Sequence, residues 1–471
     1  MRPNIAKDIP LTSRPSPGNH LTSEAKELLL ASKRFAHEQR WRSWWHLGST
    51  LVVFAALIAV TATTWALPLR VLSSVVAGLV LVRIFILYHD FQHGSILARS
   101  PLATAMMWLY GLLALNPPSI WKRSHDHHHR NNSKMFGASI GSYPVMTTEA
   151  YAQASRWQRF AYAASRHPIT IGAGYFTIFM YGMCLRPFLL NPLRHFDALL
   201  SLVVHLGLVA YLATIGPDIA LLSVVLPTAI AATLGAYLFY AQHNYPTVKI
   251  RDRSQWSYVD AALNASSYIV MSPWMHWFTG NIGYHHVHHL NARIPFYRLP
   301  EAMAALPSLQ SPGITTLLPS DIWACFRLKL WDRRQDRLIS FAEAQPMIDA
   351  FASGTAVLDP DFAERVLSEL HSHQDDDDGH SDDGHSDDGH SDDGHSDDDG
   401  RDGEGHHDQH RTGHGEAASR ELVQPRAGES VVAADLVAAV QREIPVAMVT
   451  DATAAAFELP AHGIPAVINT P

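Results

Sequence analysis

Residues 71–96 read VLSSVVAGLVLVRIFILYHDFQHGSI. The first part, to Tyr88, is apolar apart from Ser73, Ser74 and Arg83. A helix of that length rises about 27 Å at ~1.5 Å per residue, close to the thickness of a bilayer's hydrocarbon core. His89 and His93 stand at its end, four residues apart and on one helical face. A single pair of this kind packs or hydrogen-bonds as readily as it binds a metal. The rest of the chain decides its meaning.

Working outward, long apolar runs fall between residues 49 and 240 of a 471-residue chain, and the region after 370 is nearly free of them. This predicts an all-α integral membrane protein with a polar tail. STLVVFAALIAVTATTWAL (49–67) is long enough to cross, Pro68 and Arg70 predict a turn, and 71–88 returns. The run 101–118, ending in NPPS, is too interrupted to span. Of the three later runs, 169–183 carries Gly172, Gly174 and Gly182 and reads as interfacial or re-entrant. The other two, 196–215 and 219–240, are joined by the tight uncharged turn IGPD. Four spans with both termini on one side follow. The loops beside the histidines hold Arg99, Lys122, Arg123, Arg130, Lys134, Arg156, Arg159, Lys249, Arg251 and Arg253, which predicts that this side is cytoplasmic.

The overall charge of −8 hides two regions: residues 371–416 carry 15 Asp, 2 Glu and 2 Arg, which leaves a basic remainder. No segment resembles a nucleic-acid module, and the acidic tract would repel phosphate. Two cysteines, Cys184 and Cys325, exclude a disulfide framework and a four-cysteine iron–sulfur cluster within one chain. The opening MRPNIAKDIPLTSRPSPGNH lacks the apolar core of a cleaved signal, so the first apolar run, near Gly48, is expected to act as the targeting signal.

The expected organisation is an arm and interfacial amphipathic helix over 1–47, the helix itself over 23–47, then a membrane domain over 48–350. A connecting helix over 351–370, an Asp/His-rich repeat over 371–416 and an extension of unassigned role over 417–471 complete it. The repeat DDGHS places His380, His385, His390 and His395 at a period of five, in a composition that cannot bury a core.

Outside that repeat, histidines cluster three times: His89 with His93; His125 with His128 and His129; and His285 with His288 and His289. Spacings of three and four put each cluster on one helical face. His127 and His286 fall about 200° and 100° round from the first histidine of their clusters, so they are not expected as ligands. Eight imidazoles on one membrane face would repel if charged, whereas clustered neutral imidazole is what transition metals take. Zinc usually takes four ligands, so eight predict two ions, but ligand type alone leaves Fe, Cu, Zn and Ni open. No H-E-x-x-H occurs, which argues against a zinc protease.

The stretches HDFQHGS, WKRSHDHHHRNN and WFTGNIGYHHVHHLNARIPFYRLPEA resemble, in order, spacing and context, the three histidine boxes of membrane fatty acid desaturases over roughly residues 45–310. The resemblance implies two iron ions at the cytosolic membrane face, O2 as co-substrate, and His89, His93, His125, His128, His129, His285, His288 and His289 as the catalytic metal ligands. It also implies His243, in FYAQHNYP, as a ninth ligand. Electrons are expected from a separate ferredoxin or cytochrome b5 with its reductase, because no fused cytochrome signature occurs. His285 stands where front-end desaturases usually carry glutamine. The three residues between His89 and His93 differ from the four usual in acyl-CoA Δ9 enzymes. The pattern is closest to Δ12 and ω3 acyl-lipid desaturases, which implies a fatty acyl chain on a glycerolipid rather than on CoA, made into a cis olefin. The rivals are a di-iron hydroxylase of the same superfamily, acting on alkanes, sterols or carotenoids, and a metal transporter. A transporter should carry its ligands within the spans.

Asp90, Asn131, Asn132 and Asn281 are candidates for orienting ligands, or for caps and turns. Arg83 is a functional suspect or a snorkelling cation. His205 reads as a satisfied polar core residue, and Trp274 and Trp277 as an aromatic belt.

Overall fold

The computed structural model describes residues 22–135 and 142–355. Most of the connecting helix expected over 351–370, the DDGHS repeat and the C-terminal extension lie outside the described residues, as does most of the N-terminal arm. The described residues are mostly helical, with four helices long and apolar enough to cross a membrane: Arg40–Thr61, Leu67–Gln92, Phe196–Ile215 and Pro217–His243.

Their ends differ from the sequence reading. The first turn lies over 62–66, and Pro68 sits in the first turn of the second span, where its missing N–H costs nothing. Arg70, two residues further, donates from Nε to the Thr61 carbonyl at 2.9 Å and pairs through Nη2 with Asp218 at 2.6 Å. That contact fastens the two far-side turns to each other. Gly78 allows the second and fourth spans to meet closely: a Cβ there would fall 2.8 Å from the Ile230 Cβ and 3.0 Å from the Pro227 carbonyl. The fourth span opens into a π-helical turn over Leu221–Val225 just before Pro227, whose ring cannot sit in an unbroken α-helical ladder.

Two shorter apolar helices, Pro101–Leu113 and Tyr175–Leu190, do not have the length to cross. The first ends among the side chains of the third span. Ser201 Oγ donates to the Leu112 carbonyl at 2.6 Å, and His205 Nδ1 lies 2.8 Å from the Leu113 carbonyl. The Tyr175 hydroxyl lies 2.6 Å from the other nitrogen of His205. His205 is thus a satisfied polar core residue that closes a buried helix end.

The expected amphipathic helix over 23–47 is instead broken. Ser23–Ser32 and a 3-10 turn over Lys33–Phe35 form one piece, and the first span starts at Arg40. Long-range bonds hold the break. Glu38 Oε1 accepts from the Leu97 N–H at 2.6 Å, the Gln39 N–H donates to the Tyr297 hydroxyl at 2.9 Å, and Arg298 donates to the carbonyls of Arg34 and His37, both at 3.2 Å. Outside the spans the described residues carry two small sheets. In one, Met146–Thr147 runs parallel to Leu330–Asp332, which pairs antiparallel with Arg337–Ile339. In the other, Tyr268–Val270 runs parallel to Ile314–Thr316. A helix over Phe341–Ala352, begun by a Ser340–Glu343 capping box, crosses the boundary expected at 350.

Candidate metal centre

The second span delivers His89 on its last turn and ends at Gln92; His93 follows as the cap. Gly94 then takes φ +65°, which reverses the chain. The second box lies on Pro118–Asn131, whose first turn is anchored when Ser119 donates to Asp197 from its N–H at 3.0 Å and from Oγ at 2.6 Å. Trp121 stacks on His125, ring centroids 4.5 Å apart. The third box is the short helix His285–Leu290. His243 ends the fourth span.

These elements bring nine imidazoles into two groups: His89, His93, His125, His129 and His288 in one, and His128, His243, His285 and His289 in the other. In the first, His125 Nε2 lies 3.0 Å from both His89 Nε2 and His93 Nε2 and 3.1 Å from His129 Nε2, and His288 Nε2 lies 3.0 Å from His129 Nε2. In the second, four Nε2 atoms close a ring: His128 to His243 at 3.1 Å, His243 to His285 at 2.9 Å, His285 to His289 at 3.1 Å and His289 to His128 at 3.2 Å.

Hydrogen bonding does not account for this. An imidazole Nε2 holds either one proton or one lone pair, so His125 Nε2 cannot satisfy three nitrogen neighbours at once. A shared cation does account for it. With metal–imidazole bonds of about 2.0–2.1 Å, adjacent ligand nitrogens stand roughly 3 Å apart. The ligand atoms of a group, one per residue, all lie within 4.8 Å of one another. The donor set fits a metal ion in each group.

The ligand faces are buried and their charge state suits the role. Burial holds His93 down to about 3. It also holds His125, His128, His129, His285, His288 and His289 well below the usual imidazole range, and the neighbouring imidazoles add to the effect. The rings are therefore neutral and present lone pairs.

Several far-side nitrogens are fixed. His89 Nδ1 lies 3.0 Å from Asp90 Oδ1, and the other Asp90 oxygen accepts the Phe296 N–H at 2.7 Å. His128 Nδ1 lies 2.6 Å from Ser142 Oγ, and His243 Nδ1 lies 2.9 Å from the Ala265 carbonyl. The Nδ1 atoms of His129, His285 and His288 are buried without a hydrogen-bond partner among the described residues. Ser142 and Ala265 were not read from the sequence; a lone serine and a backbone carbonyl in loops carry no local signal.

His286 stays out of both groups: it is buried and its Nε2 lies 3.0 Å from the Leu309 carbonyl. His127 also lies outside them. Of the candidate orienting residues only Asp90 touches a cluster histidine. Asn131 donates to the His127 carbonyl, and Asn132 donates to Ser266 Oγ. Asn281, at φ +56°, donates to the Phe296 carbonyl and holds a turn. Arg83 does not snorkel. It is buried, donates to Thr50 Oγ1 and to the Trp277 carbonyl, lies 3.2 Å from His46 Nδ1 and covers the Trp277 ring at 4.5 Å. Trp277 is thus half-committed to Arg83, while Trp274 is exposed.

An apolar cleft opens from this centre. His89, His125 and His285 stand at one end, and the walls run down the second and fourth spans to Leu81 and Thr228, with Ile178, Phe179 and Met183 on the third side. The arrangement offers buried metal ligands at the head of a hydrocarbon-lined passage.

Comparison with known proteins agrees with this geometry. The pattern of the family described as fatty acid desaturase matches residues 63–314. A fatty acid desaturase of Bacillus subtilis (strain 168) is 29% identical over 332 residues, covering 68% of this chain and 92% of that protein. The sn-1 oleoyl-lipid 12-desaturase of Synechocystis sp. is 22% identical over 243 residues, 50% of this chain and 67% of that one. The endoplasmic reticulum omega-3 fatty acid desaturase of Vigna radiata is 27% identical over 244 residues, 48% of this chain and 61% of that one. The matched region spans more than half of the sequence and contains all three histidine clusters and His243, and the chain belongs to the fatty acid desaturase family.

Proposed function

We propose that this membrane protein is an O2-dependent desaturase that holds two iron ions with His89, His93, His125, His128, His129, His243, His285, His288 and His289. It introduces a cis double bond into a fatty acyl chain carried on a membrane lipid. One observation carries the reading: nine imidazoles in two groups stand at the head of an apolar cleft. The reaction converts CH2–CH2 and O2, with two electrons and two protons from outside, into CH=CH and two molecules of water.

Bound iron supplies the oxidising power that removal of hydrogen from an unactivated methylene demands. The chain's own residues do the rest. The ring of His128, His243, His285 and His289 would hold one cation and the cluster around His125 the other. Asp90, Ser142 and the Ala265 carbonyl set ring orientation from behind. The apolar cleft walls would keep water from the acyl chain.

A ferredoxin or cytochrome b5 type donor, with its reductase, would deliver the electrons. The basic loops support a cytoplasmic position for the centre and both termini. The catalytic unit is proposed to occupy 48–350, with 1–47, 351–370, 371–416 and 417–471 as appendages.

Expression in a host with simple lipids, followed by fatty-acid analysis with double-bond location, tests the reading. A new olefinic acyl chain is expected. A new hydroxyl would make the protein a hydroxylase, and no change from iron-loaded, folded protein would overturn both.

A further inference from the structure

The cleft is one-sided. It touches His89, His125 and His285 at its head and then descends; none of its walls comes from residues 291–355. Along the fourth span the wall extends from Gln242 down to Thr228. Fourteen residues of helix rise about 21 Å. A whole hydrocarbon core is about 30 Å for two layers of acyl chains, so one layer is about 15 Å. The passage below the centre is therefore deep enough for most of an acyl chain.

We infer that the acyl chain enters this cleft methyl end first and is oxidised in the half of the chain nearer its head group. This inference rests on the desaturase reading and adds the position of attack to it, departing from the methyl-half position that the Δ12 and ω3 pattern would imply. A lipid head group stays at the interface, beside the histidines at the span ends, and only the tail can follow the cleft into the bilayer. Gly235 is the gauge of that depth. It lines the passage two helical turns below His243, and a Cβ built on it meets nothing within 4 Å. A larger side chain there projects into the passage rather than into a neighbour.

The full-length protein, its Gly235→Leu and Gly235→Ala variants, and acyl chains of graded length provide the test. The double bond should lie in the head-group half. Gly235→Leu should keep its metal content yet lose conversion of the longest chains by about tenfold or more, with the shortest spared and Gly235→Ala between. A bond in the methyl half overturns the inference alone, as does a metal-loaded Gly235→Leu that converts long chains at the unsubstituted rate. Absence of any new double bond from the metal-loaded protein overturns the desaturase reading and this inference with it. Double-bond location in the unsubstituted protein stands whether or not a variant folds.

Discussion

His129 and His289 stack face to face, ring centroids 4.3 Å apart and 18° from parallel, yet each belongs to a different imidazole group. The two groups therefore share a wall. Removing either ring leaves a gap against the other, so the two losses should not add. In a cycle of His129→Ala, His289→Ala and the double variant, metal titration should give an interaction of about 0.5–3 kcal/mol. Strict additivity would mean that the groups are independent.

His285 and His286 are neighbours with opposite duties. His285 Nε2 faces His243 and His289, whereas His286 Nε2 faces the Leu309 carbonyl. His285→Ala should abolish turnover and lower the metal content. His286→Ala should keep the metal and lose about 1–3 kcal/mol of stability, because a buried carbonyl is left unpaired. Metal analysis and thermal unfolding in detergent separate the two, and equal metal loss in both would contradict the geometry.

Asp90 holds His89 with one oxygen and the Phe296 backbone with the other. It thus couples the first box to the segment after the third. Asp90→Ala should weaken metal binding by about 10–100-fold, the usual cost of losing a partner behind a ligand. Chelator competition reads this directly, and unchanged affinity would reduce Asp90 to a packing role.

Much of this centre was legible in the sequence, for a physical reason. Histidines three and four apart share a helical face, and a 3.6-residue helix carries that information locally. The turn of the helix also excluded His127 and His286. His243, a single histidine at a span end, had no such spacing and was readable only through family resemblance. Ser142 and the Ala265 carbonyl were not legible, since tertiary packing alone brings them to His128 and His243. The same holds for the break before Arg40, where bonds from Leu97, Tyr297 and Arg298 override an otherwise helical stretch. The strands of two or three residues are too short to show a period.

Acid should destabilise the metal-free protein well before its carboxylates titrate. Burial lowers His93 to about 3 and His286 to about 4, against 6.5 when exposed. Between those values and 6.5 the unfolded chain binds more protons than the folded one, so stability rises with pH through that window. It is complete above about 6.5 and declines as pH falls toward the folded values. Chemical denaturation of chelated protein from acid to neutral pH should show that slope, and a flat profile would mean that these rings are hydrated.

The Asp/His repeat offers further imidazoles, but among the described residues nine imidazoles from residues 89–289 already form the two groups, so the proposed centre calls for none from the tail. Deleting 371–471 should therefore leave two tightly bound metals and unaltered desaturation per folded molecule. Weakly held metal, removable by a mild chelator, should fall with the deletion, because the four histidines of the repeat each follow closely on a pair of aspartates, a mixed carboxylate and imidazole set. Metal counting before and after mild chelation, together with product analysis, distinguishes the two classes of ion. A truncated protein that folds, loads both metals and makes no product would place an essential function in the tail and overturn the assignment of the whole catalytic centre to the membrane domain.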